Sequence, residues 1–192
     1  MTVGYEGAPP DPGGPVDPVV RTEPVDEVDR PAWFTLMAPG WWPSDGSVTQ
    51  ASGLCFDLGG RVVLVQLDDG FWTLPGGQVE PDETPLDTLL REVAEEACAR
   101  VVRARYLACQ HVWDPQAPEG PTSHYQARFW ARVEVGPWGP RHETVARTLV
   151  TPAQFTASLS WTRTKIAARL LDLATSAEDQ DRATPHGEPG IT

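Results

Sequence analysis

The strongest constraint on the fold of this chain is a sequence pattern that predicts a helix with a proline as its first residue. Thr84 can cap the helix N-terminus, Pro85 suits its first position, and Asp87 completes a Thr-x-x-Asp capping box. Apolar residues then recur at helical spacing and form one stripe, made of Leu86, Leu89, Leu90, Val93 and Ala97. We therefore expect an amphipathic helix over residues 85–99.

Strand signals lie on both sides of this helix. The predicted strands are residues 48–57, 61–67, 71–74, 101–113, 125–135 and 145–150. Leu58-Gly59-Gly60 joins the first two strands and predicts a hairpin, while residues 152–174 read as a closing helix. Mixed strands and helices in this order predict an α+β or layered α/β domain.

The two ends of the chain differ from its centre in charge. Residues 1–30 carry seven acids against two arginines and are rich in Pro and Gly, and residues 176–192 carry four acids against one arginine. Because such polar segments cannot bury a core, we expect both ends to be disordered. The folded domain should span residues 31–175. Its first part, 31–46, is interrupted by prolines, and its tryptophans (Trp33, Trp41 and Trp42) would suit a homodimer contact.

Composition excludes several classes of function. The net charge of −12 disfavours nucleic-acid binding, which needs clustered Lys and Arg. Three cysteines without a CxxC pair argue against a disulfide scaffold and fit a reducing, cytoplasmic location. We find no apolar run of membrane-spanning length and no secretion signal, so we expect no membrane partner.

Acidic residues are concentrated around the predicted helix. Residues 77–99 contain seven acids and a single base, Arg91. Glu92, Glu95 and Glu96 fall within an arc of about 100° on the helix, away from the apolar stripe. Like charges at this spacing repel, so the cluster favours a bound divalent cation, Mg²⁺ or Mn²⁺, with a solvated helix face as the alternative.

Two glycines precede this acidic helix. Gly76 and Gly77 have no side chains, so their backbone can approach a metal ion or a phosphate closely. The alternative is a plain tight turn. Arg91 could pair with Glu83 or Glu95 and so fix carboxylate rotamers without touching substrate.

This segment resembles the Nudix box. Gly77-Gln-Val-Glu-Pro-Asp-Glu83, then seven residues, then Arg91-Glu92-Val93-Ala94-Glu95-Glu96 matches the Gly, the four Glu, the Arg and the aliphatic position of that motif. The pattern departs at its end, because Cys98 replaces the usual Gly and Ala99 the last aliphatic. A left-handed Cys98 would cost about 1 kcal/mol, unless the helix runs slightly longer.

The resemblance implies a Nudix-like α/β/α sandwich with a central mixed sheet, the Nudix helix at 85–99 and a C-terminal helix. It also implies that the Gly77 carbonyl, Glu92, Glu95 and Glu96 bind metal, and that Glu92 or a loop acid, with Glu143 the candidate, is the general base. Weaker candidates for substrate contacts are aromatic or basic residues: Trp72, His111, Trp113, Tyr125, Arg61, Arg105 and Arg128. For the aromatic residues packing in the core or at a subunit interface is the favoured role, and for the arginines an ordinary surface charge.

The implied activity is metal-dependent hydrolysis of a nucleoside diphosphate linked to another group. The substrate classes of the family include ADP-ribose-like compounds, nucleotide sugars and nucleoside triphosphates, with a lean towards the first. The alternatives are a non-catalytic nucleotide sensor on the same fold and, less favoured, a prenyl-diphosphate isomerase. The isomerase would need a cysteine in its site, and Cys55 and Cys109 have no recognisable context for one.

Overall fold

In this computed structural model, the described residues are 13–19, 22–26, 31–44, 48–139, 144–161 and 165–184. Across them, nine strands form one sheet and three helices flank it. The strands are β1 (Thr22–Asp26), β2 (Pro31–Leu36), β3 (Val48–Asp57), β4 (Val62–Leu67), β5 (Trp72–Thr73), β6 (Gly76–Gln78), β7 (Ala99–Asp114), β8 (Thr122–Val135) and β9 (Thr144–Val150). The helices are α1 (Pro85–Glu96), α2 (Pro152–Ser158) and α3 (Lys165–Ala183).

The sheet is mixed. Its strand order is β1-β2-β7-β8-β3-β4-β5, with β6 paired to β3 and β9 paired to β4. The central strands β3 and β8 run parallel, from the Gln50↔Gln126 pair to the Asp57↔Val133 pair, whereas β7 and β8 are antiparallel. The predicted turn at residues 58–60 does join β3 to β4, through the Phe56↔Val62 pair. The sheet therefore brings residues distant in sequence onto neighbouring strands.

Each face of the sheet buries its own core. On one face, α1 packs Leu89 and Val93 against β3, and a Cβ on Gly53 would overlap Leu89, so glycine permits this close approach. On the other face, α2 and α3 contribute Phe155, Ile166 and Leu170 to a second core. The predicted α/β/α sandwich around a mixed sheet is confirmed.

The predicted closing helix over residues 152–174 is wrong in its middle. The chain leaves the helical conformation at Leu159, which is extended and ends α2, and α3 begins at Lys165. The reason is a competing interaction with β5, since Ser160 N–H donates to the Trp72 carbonyl (3.0 Å) and Ser160 Oγ accepts from Trp72 N–H (2.8 Å). Helical periodicity continues through this break, so the sequence pattern gave no warning of it.

The expectation of two disordered tails also needs correction. Residues 13–19 and 22–26 are ordered parts of the fold, and Asp17 is fully buried, with Arg169 Nε 3.2 Å from its carboxylate. At the other end, α3 continues to Ala183 and buries Glu178 and Asp181. The acids are tolerated because arginines neutralise them. Residues 1–12, 20–21, 27–30 and 185–192 lie outside the described residues.

The tryptophans proposed for a dimer contact pack within the chain. Trp41 lies 5.5 Å from the Tyr125 ring, and Trp42, which is 42% exposed, lies edge-on at 5.0 Å from Tyr106. Trp33 is half-buried opposite Trp113 in the β2–β7 register. Within the described parts of the chain, no helix is long and apolar enough to span a bilayer.

Candidate active site

The two glycines form the start of a short strand beneath α1. Gly76 pairs with Ser52 and Gly77 with Ala51, as β6 runs antiparallel to β3. A Cβ on Gly76 would overlap Ser52 and the Ala51 carbonyl, and one on Gly77 would overlap the Glu92 carboxylate. Glycine is therefore required at Gly76, where a side chain would meet the β3 backbone, whereas a side chain at Gly77 would displace the Glu92 carboxylate.

The helix α1 begins as the sequence indicates but ends earlier. Thr84 and Asp87 form both hydrogen bonds of the capping box (3.2 and 3.0 Å), and Pro85 is the first helical residue. The predicted end at residue 99 is wrong, because the last helical residue is Glu96 and Cys98 adopts a left-handed φ of 46°. Ala99 already belongs to β7.

Strand β9 holds the end of α1. Thr144 Oγ1 donates to the Glu96 carbonyl (3.0 Å), and Arg147 Nη1 donates to the Ala97 (2.5 Å) and Cys98 (3.2 Å) carbonyls. These are the carbonyls that a helix end leaves without partners, and a cation there also suits the helix dipole. Side chains from β9 thus support a left-handed residue that is not glycine.

Arg91 organises the carboxylates of the cluster. Its guanidinium binds Glu83 through two hydrogen bonds (2.7 and 3.0 Å) and reaches Glu92 (2.8 Å) and Glu95 (3.3 Å) with Nη1. The predicted pairing with Glu83 or Glu95 is thus realised with both. The Arg91 hydrogen bonds lower the pKa of Glu83 to about 2, so this carboxylate stays charged.

Glu92 and Glu96 are the more buried acids of the cluster. Burial is the main cause that raises the pKa of Glu92 above its ordinary value, against the opposing effect of Arg91. Glu96 is only 9% exposed, and its Oε2 accepts the Gly76 N–H at 2.9 Å. That hydrogen bond joins the helix directly to the glycine strand.

The donor set suits a hard divalent cation. Glu92, Glu95 and Glu96 offer only oxygen ligands, and the backbone of Gly77 lies against Glu92 with no room for a side chain. As these side chains stand, no three acidic, histidine or cysteine residues in the described ranges converge on one ion position. Arg91 and the Gly76 N–H occupy their oxygens instead.

A cavity of about 280 Å³ opens beside this cluster. Glu96, Gly76 and Gly77 form one side of it, and polar side chains of the sheet form its floor, namely Gln50, Ser52, Gln110, Gln126 and Arg128. Aromatic residues also line it, namely Phe34, Phe71 and Trp161. The size and mixed lining suit one small ligand with a flat ring and an anionic end.

Sequence reasoning missed most of this floor. It named Arg128 only as one of several basic residues and did not consider the glutamines. The available signal was polar residues two apart in otherwise apolar strands, as at Gln50 and Ser52 in β3 and at Gln126 and Arg128 in β8. Such pairs point to the same face of a sheet, and here that face is the cavity.

Several predicted substrate residues lie away from this cavity. Arg61 is held in the β3–β4 turn by an ion pair with Asp57 (2.6 Å). His111 is buried on the opposite face, where Nε2 meets Ser123 Oγ (2.7 Å) and the ring lies 5.2 Å from Tyr125. Trp72 packs against the core under α2 and α3. Their positions do not support the prediction that they contact substrate.

Three further substrate candidates also lie away from the cavity. Arg105 binds Gln180 of α3 (2.7 Å), Tyr125 contacts Trp41, and Trp113 pairs with Trp33, all away from the cavity. Glu143, the loop candidate for the general base, lies outside the described residues. Of the predicted residues, the structure thus brings together the two glycines, Glu83, Arg91 and the three glutamates of α1, with Arg128 on the floor of the adjoining cavity.

Comparison with solved structures defines the class of fold. The chain resembles a crystallised mutant of a pyrophosphohydrolase from Bacillus subtilis, with a TM-score of 0.64 and 21% identity, over 76% of this chain and 92% of that one. It also resembles the NUDIX domain of NrtR from Shewanella oneidensis, crystallised with ADP-ribose, with a TM-score of 0.50 and 18% identity, over 73% and 94% of the two chains. These similarities establish a Nudix-type fold.

Sequence comparison then establishes the family. The NUDIX domain family model matches residues 46–173, so this chain belongs to the Nudix family, as its motif predicted. It is 33% identical over 89 residues to an 8-oxo-dGTP diphosphatase of Proteus vulgaris, covering 44% of this chain and 74% of that protein. It is 45% identical over 50 residues to a putative 8-oxo-dGTP diphosphatase of Bacillus subtilis, covering 26% of this chain and about a third (32%) of that protein.

Proposed function

We propose that this Nudix-family chain is a metal-dependent pyrophosphohydrolase that cleaves the diphosphate linkage of a nucleoside di- or triphosphate derivative. The observation that carries the proposal is the excess of carboxylates over cations beside the cavity, counted over the residues that the structure describes. Glu83, Glu92 and Glu95 share the guanidinium of Arg91, and Glu96 adds a further carboxylate at the cavity wall. A diphosphate can approach this cluster only if a cation lies between them.

The residues of the chain would divide the work as follows. Glu92, Glu95, Glu96 and the Gly77 carbonyl would hold Mg²⁺ or Mn²⁺, which when bound offsets phosphate charge and lowers the pKa of an attacking water. Arg91 is a positioning residue, since it holds the Glu92 and Glu95 carboxylates at 2.8 and 3.3 Å.

Glu92 is the favoured proton acceptor within the described residues. Its carboxylate lies against the backbone of Gly77, within the proposed metal site where an attacking water would be bound. Glu143 stays the alternative base. If Glu92 is the base, Glu143→Gln merely slows turnover; a loss of turnover in Glu143→Gln equal to that in Glu92→Gln would assign the base to the loop.

The substrate proposal follows the relatives and the cavity. The Proteus relative is an 8-oxo-dGTP diphosphatase, whereas the NrtR domain was crystallised with ADP-ribose. The longer sequence match favours a nucleoside triphosphate over the ADP-ribose-like compounds expected at first. A small-molecule nucleotide is thus the proposed partner. The three free thiols support a cytoplasmic location, and a homodimer is left as a proposal.

The rival activities have less support. A prenyl-diphosphate isomerase would need a reactive cysteine, but Cys55 is fully buried and burial raises its pKa to about 12. Cys109 is buried on the face away from the cavity. A nucleotide sensor remains a second candidate because the NrtR domain binds ADP-ribose on a similar fold. The complete set of box glutamates favours hydrolysis over sensing.

The test is hydrolysis by the full chain with Mg²⁺. Substrates would be 8-oxo-dGTP, dGTP, ADP-ribose and a nucleotide sugar, with released phosphate measured directly and after phosphatase treatment. We expect turnover of at least one triphosphate, and a loss of about 100-fold or more in Glu96→Gln, which keeps the shape of the side chain.

Glu134→Gln is the matched control. Glu134 is an exposed acid near the end of β8 that pairs with Arg100 (2.6 Å), so its change should leave turnover intact. Full activity of Glu96→Gln would contradict the proposed metal site. Tight nucleotide binding by the wild-type chain without any turnover would instead establish the sensor.

A further inference from the structure

The floor of the cavity is a continuous polar surface on three neighbouring strands. Ser52 of β3 is in register with Arg128 of β8, and Gln50 is in register with Gln126. On the other side, Gln126 is in register with Gln110 of β7. Gln110 is 3% exposed and Arg128 is 9% exposed. Because polar side chains this buried lose their hydrogen bonds to water, they need hydrogen-bond partners within the protein or in a ligand.

Arg128 determines how the neighbouring carboxamides are oriented. Its guanidinium donates two hydrogen bonds to Gln110 Oε1 (3.1 and 3.2 Å) and one each to Gln126 Oε1 and Ser52 Oγ. A guanidinium only donates, so both carboxamides must turn their oxygens towards it. Gln126 in turn donates from Nε2 to Gln50 Oε1 (2.6 Å).

The hydrogen bonds of this network use the side-chain oxygens and leave N–H and O–H donors over. With their oxygens engaged, Gln110 and Gln50 retain their amide NH₂ groups, and Ser52 retains its hydroxyl hydrogen. Both side chains line the cavity, so these NH₂ groups can donate to a ligand there. We call Gln50, Ser52, Gln110 and Arg128 the donor wall.

The rest of the cavity complements a nucleobase lying along this wall. Phe34, Phe71 and Trp161 provide aromatic surface on which a flat base can stack. Glu96, Gly76 and Gly77 mark the end of the cavity where the phosphates would lie under the proposed function. The base is therefore the part of the ligand that reaches the donor wall.

We infer that the donor wall selects a 6-oxopurine nucleotide over a 6-aminopurine nucleotide; this inference rests on the proposed function. A 6-oxopurine presents the acceptor O6 at the position where adenine presents a donor NH₂. Against adenine, a donor of the wall would meet another donor. A buried donor left without an acceptor loses its hydrogen bond to water and gains none in return.

The test uses two substrates that differ at the 6-position edge, ITP and ATP. With Mg²⁺, kcat/KM of the full chain should favour ITP by at least about tenfold, as for sites built to pair with a polar group of the substrate. Neither inosine nor adenosine has a 2-amino group, so a preference for ITP over ATP must come from the edge that carries the 6-oxo group.

The variant Gln110→Glu tests whether the donor at this position determines the preference for a 6-oxopurine. One carboxylate oxygen would stay on Arg128, and the other would offer adenine an acceptor, so the ITP/ATP ratio should fall below one. Gln50→Glu makes the same change at the edge of the wall and serves if Gln110→Glu does not fold. Gln116→Glu, in the exposed β7–β8 loop, should keep the wild-type ratio.

A binding measurement separates this inference from the proposed function. Calorimetric titration with IMP and AMP reports base preference without hydrolysis. Hydrolysis of ATP and ITP at equal kcat/KM, or a ratio unmoved by both wall variants, overturns the inference but leaves the proposed function standing. Failure to hydrolyse any nucleotide overturns the proposed function. In that case tighter binding of IMP supports the donor wall, and equal binding of both nucleotides rejects it.

Discussion

Two acidic clusters on two helices of this chain have opposite charge balance. At the C-terminal end of α3, Glu178 and Asp181 meet three arginines, namely Arg103, Arg132 and Arg182. At α1, three acids share Arg91, and Glu96 Oε2 accepts the Gly76 N–H at the cavity. Within the described part of the chain, arginines neutralise the first cluster, whereas the second has more carboxylates than cations.

The difference shows how a structural carboxylate is told from a functional one. Glu178 is 4% exposed, and it accepts from Trp130 Nε1 (3.0 Å), Arg132 Nη2 (2.6 Å) and Arg182 Nε (2.7 Å). Its position anchors α3 to the sheet. The acids of α1 repel one another, which a purely structural cluster would avoid, so the excess charge is explained by a ligand.

The largest expected difference between the two clusters is a loss of folding stability when a carboxylate of the α3 cluster is neutralised. Glu178→Gln removes the charge that pairs with the nearly buried Arg132, so the free energy of unfolding should fall by about 3 kcal/mol. Urea denaturation measures this, with the isosteric Glu96→Gln as the matched change at α1. Turnover per folded molecule should stay near the wild-type value in Glu178→Gln. An unchanged unfolding free energy would remove the structural role assigned to this cluster.

Magnesium should next distinguish the clusters by stabilising only one of them. A cation that binds the folded state at 100 times its Kd adds about 2.7 kcal/mol to the unfolding free energy. We expect MgCl₂ to raise the melting temperature of the wild type and of Glu178→Gln, but not that of Glu96→Gln. Equal protection of Glu96→Gln would place the cation elsewhere.

The smallest effect concerns the left-handed residue at the end of α1. Cys98→Gly relieves a φ of 46°, so it should stabilise the fold by about 1 kcal/mol. Arg147→Met, which removes the donor to the Ala97 and Cys98 carbonyls, should destabilise it. Thermal denaturation of both single variants and of the double variant measures whether glycine offsets the loss of Arg147. No gain in Cys98→Gly would show that β9 already removes the strain.

The sequence by itself determined the parts of this protein whose signals are local. The capping box, the apolar stripe of α1 and the spacing from Gly77 to Glu96 predicted the helix, its acidic face and the family. These follow from hydrogen bonds and periodicity within a few turns of the chain. The same local signals placed the strands β3 and β4 and the turn between them.

Only the tertiary structure determined the features that depend on contacts between residues distant in sequence. The break at Leu159 arises from hydrogen bonds to β5, and the order of the α3 terminus arises from arginines on β7 and β8. The donor wall exists because the parallel pairing of β3 with β8 sets Ser52 beside Arg128, a contact across 76 residues. The role of a charged or polar residue depends on such partners. They lie far away in the sequence, so one segment alone does not reveal that role.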